Sequence, residues 1–161
     1  MFKKAAILFF ILLNIGCDQI SKDLVRTNVE EKAYIPLIGD TFVLTNVENT
    51  GAMLGFGTDF PPIIKMVLLK ILPVFVLLIL LFRILRKKQM NIWLIIAFAF
   101  VIGGGIGNLI DRVLYGSVTD FFQIDFGGVF RTGIFNMADV SVTTGALLIL
   151  FLTLRYKKLE F

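Results

Sequence analysis

Apolar residues fill four long stretches of the chain, and polar segments separate them. The stretches cover residues 4–24, 64–85, 91–112 and 136–155. A helix needs roughly 20 mostly apolar residues to cross the hydrocarbon core of a bilayer. The pattern therefore predicts a membrane all-α bundle of four transmembrane helices, formed by a single integral-membrane domain over residues 1–161.

Charged residues interrupt the first two stretches. Asp18 and Lys22 lie in the first, and Lys65 and Lys70 lie in the second, which also contains Pro73. A long lysine side chain can reach a water interface from inside a span. We therefore expect these charges to lie toward one membrane surface.

The segments between the spans differ from them in composition. Segments 25–63 and 113–135 mix β-branched and aromatic residues with Gly, Pro and Asn. This mixture favours short strands and turns over helix. We expect a small extracytoplasmic β-sheet and loop region, with aromatic side chains suited to the headgroup zone.

Composition identifies the class of protein. The chain is 57% hydrophobic and 17% charged, with a mean hydropathy of +0.87, whereas soluble domains carry about 25% charged residues. These values indicate an integral membrane protein. The net charge of +4 would suit nucleic-acid binding, but the basic residues cluster at span ends, so no nucleic-acid partner is predicted.

The basic clusters predict the orientation. Short cytoplasmic segments carry an excess of Lys and Arg. The clusters precede the first span, separate the second from the third, and follow the fourth: Lys3, Lys4, Arg83, Arg86, Lys87, Lys88, Arg155, Lys157 and Lys158. We expect both termini in the cytoplasm and segments 25–63 and 113–135 outside it.

The start of the chain is similar to a lipoprotein signal peptide that ends at Cys17. However, Asn14 stands where a lipobox has an aliphatic residue, and a soluble mature domain should follow a signal peptide. Three further spans follow instead. A single cysteine cannot form an internal disulfide, so Cys17 is more simply a small buried hydrophobe.

The chain contains no histidine. This absence excludes a Ser-His-Asp or Cys-His catalytic site and an HExxH zinc site. Carboxylate chemistry or a Ser-Lys pair remains, and we predict neither a metal site nor a cofactor.

Polar residues near the spans gather at one end of the predicted bundle. They are Asp18, Lys22, Asn108, Asp111, Arg112, Asp120, Asn136 and Asp139. Ionisable residues within spans are costly and are by default candidates for function. For Asp111 and Arg112 alone, a helix end with snorkelling side chains is an equally good interpretation.

Asp120 and Asp139 form the candidate catalytic pair. If their side chains meet, repulsion and desolvation should leave one protonated near neutral pH. One acid and one base then act as in an aspartic protease. Alternatively, each caps a helix start, and Asp125 is a competing carboxylate in the same loop.

Five motifs resemble the lipoprotein signal peptidase (signal peptidase II) family in order and spacing over nearly the whole chain. They are "DQISK", "NTGAMLGFG", "GNLIDRV", "VTDFF" and "FNMADVS". The resemblance implies that Asp120 and Asp139 are the catalytic dyad. It also implies a set of residues that bind substrate or support the site: Asp18, Lys22, Asn49, Gly51, Asn108, Arg112 and Asn136.

By this resemblance, the protein is an aspartic endopeptidase of the bacterial cytoplasmic (inner) membrane. It removes signal peptides from diacylglyceryl-modified prolipoproteins, and water activated between two aspartates cuts just before the lipidated cysteine. Its expected partners are prolipoprotein substrates and membrane lipid, and it is expected to act as a monomer. Met53 and Leu54 stand where the family usually has an aromatic residue, which concerns the shape of the substrate pocket.

Other interpretations of single residues stay open. Asn49 could bind a substrate backbone or only form a turn, and Asn108 and Asn136 could bond neighbouring helices. The glycines of "GGGIG" permit close helix packing.

Two other classes of protein remain as alternatives. A Ser-Lys protease would need Lys22 within reach of Ser21, Ser117 or Ser141. A proton-coupled transporter would place aspartates nearer the midplane, with broken helices or repeats, which the sequence does not show.

Overall fold

The computed structural model describes residues 2–87 and 89–156. The helices are α1 (Phe2–Asn28), α2 (Pro62–Met66), α3 (Leu72–Arg86), α4 (Ile92–Leu114) and α5 (Met137–Arg155), and the strands are β1 (Ile35–Ile38), β2 (Phe42–Asn49) and β3 (Val118–Ile124). A π-helical turn (Val67–Ile71) joins α2 to α3, and a short 3-10 turn covers Met53–Gly55.

The described part of the chain has four helical stretches long and apolar enough to cross a membrane, which confirms the predicted bundle. They are Lys4–Asn28, Pro62–Arg86, Ile92–Leu114 and Met137–Arg155. The first helix runs four residues beyond the predicted boundary at residue 24. Lys88, Lys157 and Lys158, which contributed to the predicted orientation, lie outside the described residues.

Helix α4 is the centre of the bundle, because it packs against α1, α3 and α5. Its glycines allow these helices to approach. A Cβ at Gly103 would lie 2.6 Å from the Asn14 Cβ of α1, and a Cβ at Gly104 would meet the Ala138 carbonyl of α5. The predicted role of these glycines in close packing is therefore confirmed.

An apolar core fills one end of the bundle, between α1, α3 and α4. Its buried members are Ile7, Ile11, Leu77, Ile84, Ile95, Ala99 and Ile102. This end also carries Arg83 and Arg86, which lie in the last turn of α3.

The second membrane stretch is the most exposed of the four, because only Leu77 and Ile84 within Pro62–Arg86 are buried against the other helices. Its π-helical turn ends just before Pro73. Proline has no N–H to donate to the preceding turn, and a π-turn is one local adjustment to such a break. This stretch therefore mainly presents side chains to lipid.

The three strands form one antiparallel sheet in the order β1-β2-β3, as the composition of the connecting segments predicted. Val47 pairs with Asp120, and Asn49 pairs with Val118. The register therefore brings the end of β2 and the start of β3 together, beside the end of α4.

Candidate active site

The two candidate aspartates come from different elements. Asp120 lies on β3 and is only 4% exposed, while Asp139 lies half-buried in the first turn of α5. A capping box begins α5: Asp139 N donates to Asn136 Oδ1 (2.9 Å), and Asn136 N donates to Asp139 Oδ2 (3.1 Å). Asp139 therefore does cap a helix, and this bond fixes its carboxylate.

Asn136 connects the two aspartates. Its backbone bonds Asp139, and its side-chain Nδ2 donates to Asp120 Oδ1 at 2.6 Å. Asn136 is fully buried, so water does not compete for these bonds. The two carboxylates are thus held around one asparagine at the point where β3 meets α5.

Asn49 and Arg112 complete this part of the site. Asn49 Nδ2 donates to Asp120 Oδ2 at 3.0 Å, and Asn49 Oδ1 accepts from Gly51 N at 2.9 Å. Arg112 Nη2 donates to the Gly51 carbonyl at 3.1 Å. Asn49 therefore both stabilises the turn after β2 and contacts Asp120, and Arg112 anchors the loop that contains this turn.

The environment of Asp120 perturbs its ionisation. Burial raises the pKa of Asp120 to about 6, and the nearby negative charge of Asp139 acts in the same direction. The hydrogen bonds from Asn49 and Asn136 oppose the rise in pKa because they favour the ionised carboxylate. A carboxyl in this range exchanges protons near neutral pH.

A buried ionic cluster supports the dyad. Lys22 is 0% exposed, and its Nζ contacts Asp18 Oδ2 (2.9 Å), Asp111 Oδ2 (3.1 Å) and Asn108 Oδ1 (2.8 Å). The prediction that Lys22 reaches a water interface is wrong. Two carboxylates and an amide oxygen satisfy the ammonium group instead, which offsets much of the cost of burying it.

This cluster joins three helices. Asp18 Oδ1 accepts from the Ala138 backbone N–H at 2.8 Å, and therefore docks α1 on the first turn of α5. Asn108 Nδ2 donates to Asp139 Oδ1 at 2.9 Å. Asn108 and Asn136 thus bond both the dyad and each other, at 3.1 Å.

Several residues of the cluster were missed from the sequence. Gln19 Nε2 lies within hydrogen-bond distance of Asp18 and Asp111, 3.1 Å from each. Arg26 contacts Asp111 Oδ2 at 2.9 Å and donates from Nε to Thr119 Oγ1 at 2.7 Å. For Arg26 the available signal was its spacing, because Asp18, Lys22 and Arg26 recur every four residues along one helix face, whereas Gln19 lies outside this series.

Asp125 does not join the dyad. It pairs with Arg131, whose Nε lies 2.7 Å from Asp125 Oδ2, within the turn after β3. Hydrogen bonds from the Gly128 backbone and from Arg131 hold the pKa of Asp125 below its ordinary value. Asp125 is therefore an ordinary ionised carboxylate that stabilises a turn.

No Ser-Lys pair forms among the described residues. Ser21 donates to the Asp18 carbonyl, Ser117 to Glu48 and Ser141 to Asn14 Oδ1, while Lys22 is engaged elsewhere. Cys17 is exposed on α1, so the prediction that it is buried is wrong.

A cleft of about 410 Å³ opens beside Asp120. Asn49, Leu54 and Ile134 are among the residues that line it. Leu54 is 78% exposed, so this aliphatic side chain helps to shape the cleft, and Met53, also 78% exposed, precedes it in the chain. Within residues 2–87 and 89–156, no cluster of three acidic or thiol groups could hold a metal, and the absence of a metal remains a prediction.

Comparison with known proteins gives consistent matches. A family model described as Signal peptidase (SPase) II matches residues 10–155. The lipoprotein signal peptidase of Pelodictyon phaeoclathratiforme is 39% identical over 153 residues, covering 89% of this chain and 88% of that protein. The lipoprotein signal peptidase of Streptococcus thermophilus is 36% identical over 150 residues, covering 93% of each. A solved structure described as a bacterial membrane enzyme aligns with a TM-score of 0.82 at 28% identity, covering 94% of this chain and 88% of that chain.

Proposed function

Because this chain belongs to the signal peptidase II family, and is thus a multi-pass membrane protease that removes signal peptides from prolipoproteins, we propose that Asp120 and Asp139 are its catalytic dyad. The observation that carries the proposal is that a single residue, Asn136, donates hydrogen bonds to both carboxylates. Asp120 is buried and lines a cleft, and Asp139 is half-buried beside the same asparagine.

The proposed reaction is hydrolysis by activated water. The ionised carboxylate takes a proton from water as the water oxygen attacks the scissile carbonyl carbon, and the neutral carboxyl protonates the carbonyl oxygen. The resulting tetrahedral intermediate collapses, the C–N bond breaks and the amine leaves with a proton from the dyad. The pKa of Asp120, about 6, supports a pair that shares one proton near neutral pH.

The proposed substrate is a prolipoprotein whose lipobox cysteine already carries a diacylglyceryl group, cut just before that cysteine. A site at the end of the spans suits such a substrate, because its acyl chains can stay in lipid while the peptide enters the cleft beside Asp120. The described residues of one chain supply both aspartates and their hydrogen-bond partners, which supports activity as a monomer.

We place the dyad on the extracytoplasmic side of a bacterial cytoplasmic membrane, with both termini in the cytoplasm. Arg83 and Arg86 end α3, at the end of the bundle opposite the sheet, and basic segments favour the cytoplasm. Single cysteines placed at Asp59 and Arg86, in a Cys17→Ser background, test this topology. In intact cells, a membrane-impermeant thiol reagent should label the first and spare the second, and the reverse pattern would contradict the placement.

Single substitutions test the dyad. Asp120→Asn and Asp139→Asn should each lower cleavage of a purified lipidated precursor by about 10⁴-fold or more, and together by no more than the larger single loss, because the pair acts as one unit. Asp125→Asn is the matched control, since that carboxylate lies in the neighbouring turn, and it should retain activity.

The same assay distinguishes the serine alternative. An acyl-enzyme trapped on Ser21, Ser117 or Ser141 would overturn the aspartic mechanism, as would near-normal turnover by either dyad variant. Direct attack by water accumulates no covalent intermediate, so a rapid quench should show no burst of the mature lipoprotein, the amine product that acylation of a serine would release first.

A further inference from the structure

Lys22 has one acceptor for each of its N–H donors. The ammonium group carries three donors and no acceptor, and it lies 2.9, 3.1 and 2.8 Å from Asp18, Asp111 and Asn108 oxygens. Only the charged form of Lys22 can supply all three bonds. Neither Asp120 nor Asp139 is among its hydrogen-bond partners.

The contact with Lys22 fixes the direction of the Asn108 amide. Because a lysine cannot accept a hydrogen bond, the oxygen of Asn108 must face Lys22 and its NH₂ group must face away. That NH₂ group then donates to Asp139 Oδ1 at 2.9 Å. A flipped amide would place its oxygen against the Asp139 carboxylate and its NH₂ against an ammonium group, which are two repulsive contacts.

The Asn136 amide is oriented independently. Its oxygen accepts from the Asp139 backbone N–H, a group that can only donate. Its Nδ2 therefore faces Asp120 Oδ1 and the oxygen of Asn108. The two oriented amides give each aspartate a side-chain N–H donor.

Resting on the proposed function of the dyad, we propose that Lys22 is a positioning residue that acts through Asn108. Its buried charge holds the Asn108 amide in the one orientation that donates to Asp139. This role is additional to the ion pairs that join α1 to α4, and it concerns the reaction and not only the fold.

A double-mutant cycle tests this route. Lys22→Met removes the donors at similar length, and Asn108→Ala removes the amide. Each should lower kcat by about 10- to 100-fold, the range for losing an outer partner of a functional group, with little change in KM. If Lys22 acts through Asn108, the double variant loses no more than the larger single loss. Losses that multiply would overturn the proposal.

A second variant tests whether activity depends on the orientation of the Asn108 amide or only on its contact with Lys22. Asn108→Asp keeps an oxygen for Lys22 but turns its second oxygen toward Asp139. The proposal expects Asn108→Asp to lose more activity than Asn108→Ala. A purely structural contact would be preserved by this change, so activity above that of Asn108→Ala would overturn the proposal.

Folding is controlled separately. If Lys22→Met does not fold, the cycle is run in an Asp18→Asn background, which removes the opposing charge and keeps an oxygen for the Ala138 N–H. Lys65→Met is the matched lysine control and should retain activity. The Asp120→Asn and Asp139→Asn variants are assayed in parallel. If both lose activity fully while the losses of Lys22→Met and Asn108→Ala multiply, only the proposed role of Lys22 is rejected. If Asp120→Asn keeps its activity, the proposed function itself is rejected.

Discussion

At the end of the bundle where α3 turns into α4, the fully buried side chains are apolar, as at Ile7, Ile84 and Leu94. At the other end of α1 and α4, the fully buried side chains include Asp18, Lys22 and Asp111. Close packing of apolar side chains holds the first end, because lipid is as apolar as these side chains and gives no hydrophobic drive for association. The second end is held by specific partners, each of which is costly to remove.

The difference shows where the protein tolerates change. Apolar packing can adjust when a neighbour is a flexible side chain. A buried network of charges cannot adjust in this way, since moving one group leaves another without its partner. Small changes at the polar end should therefore affect catalysis more than similar changes at the apolar end.

Two glycines of α4 give the strongest test of this comparison. A Cβ at Gly107 would lie 2.5 Å from Asp18 Oδ2, an atom that Lys22 and Gln19 hold. To make room, Asp18 must move and weaken its bond to Lys22. Gly107→Ala should therefore lower kcat by about 10- to 100-fold, as loss of a supporting contact does, in an assay on a lipidated precursor.

Gly105→Ala is the matched control on the same helix. Its Cβ would meet the Leu77 Cδ2 at 2.8 Å, and the end of a leucine can rotate away. Activity per folded molecule should stay within about twofold of the parent, because surface and flexible sites tolerate small changes. Equal losses for Gly105→Ala and Gly107→Ala would show that the two ends do not differ.

The parts of the fold that depend on composition were predicted from the sequence. Four stretches of apolar residues gave the four helices, and β-branched segments with turn residues gave the sheet. The candidate dyad came from the resemblance of "VTDFF" and "FNMADVS" to a family, together with the absence of histidine. These signals are local, so a single sequence contains them.

The partners of the polar side chains could not be predicted in this way. Lys22 was expected at a water interface, because hydropathy does not reveal that α4 presents Asn108 and Asp111 at the same depth. Contacts of this kind depend on the rotation and depth of each helix. The Arg26 contact with Thr119 also needs α1 to extend to Asn28 beside β3, beyond the predicted end of the first span.

The smallest expected effect concerns the electrostatic cost of burying the Asp120 carboxyl group. Burial raises the pKa of Asp120 from 3.8 to about 6, so between these values the folded protein binds a proton that the unfolded chain has released. The free energy of unfolding must then fall as pH rises through this window. Asp120→Asn has no such proton, so its stability relative to the parent should rise by about 1 kcal/mol between about pH 5 and about pH 8. Unfolding in detergent at several pH values measures this difference.

Asp125→Asn is the control for the dependence on pH. The pKa of Asp125 lies below its ordinary value, so stability linked to Asp125 is lost only under more acidic conditions. The difference in stability between Asp125→Asn and the parent should therefore stay constant over the same range. A constant difference for Asp120→Asn as well would mean that burial does not perturb the ionisation of Asp120, and that the polar end bears no electrostatic cost at this carboxylate.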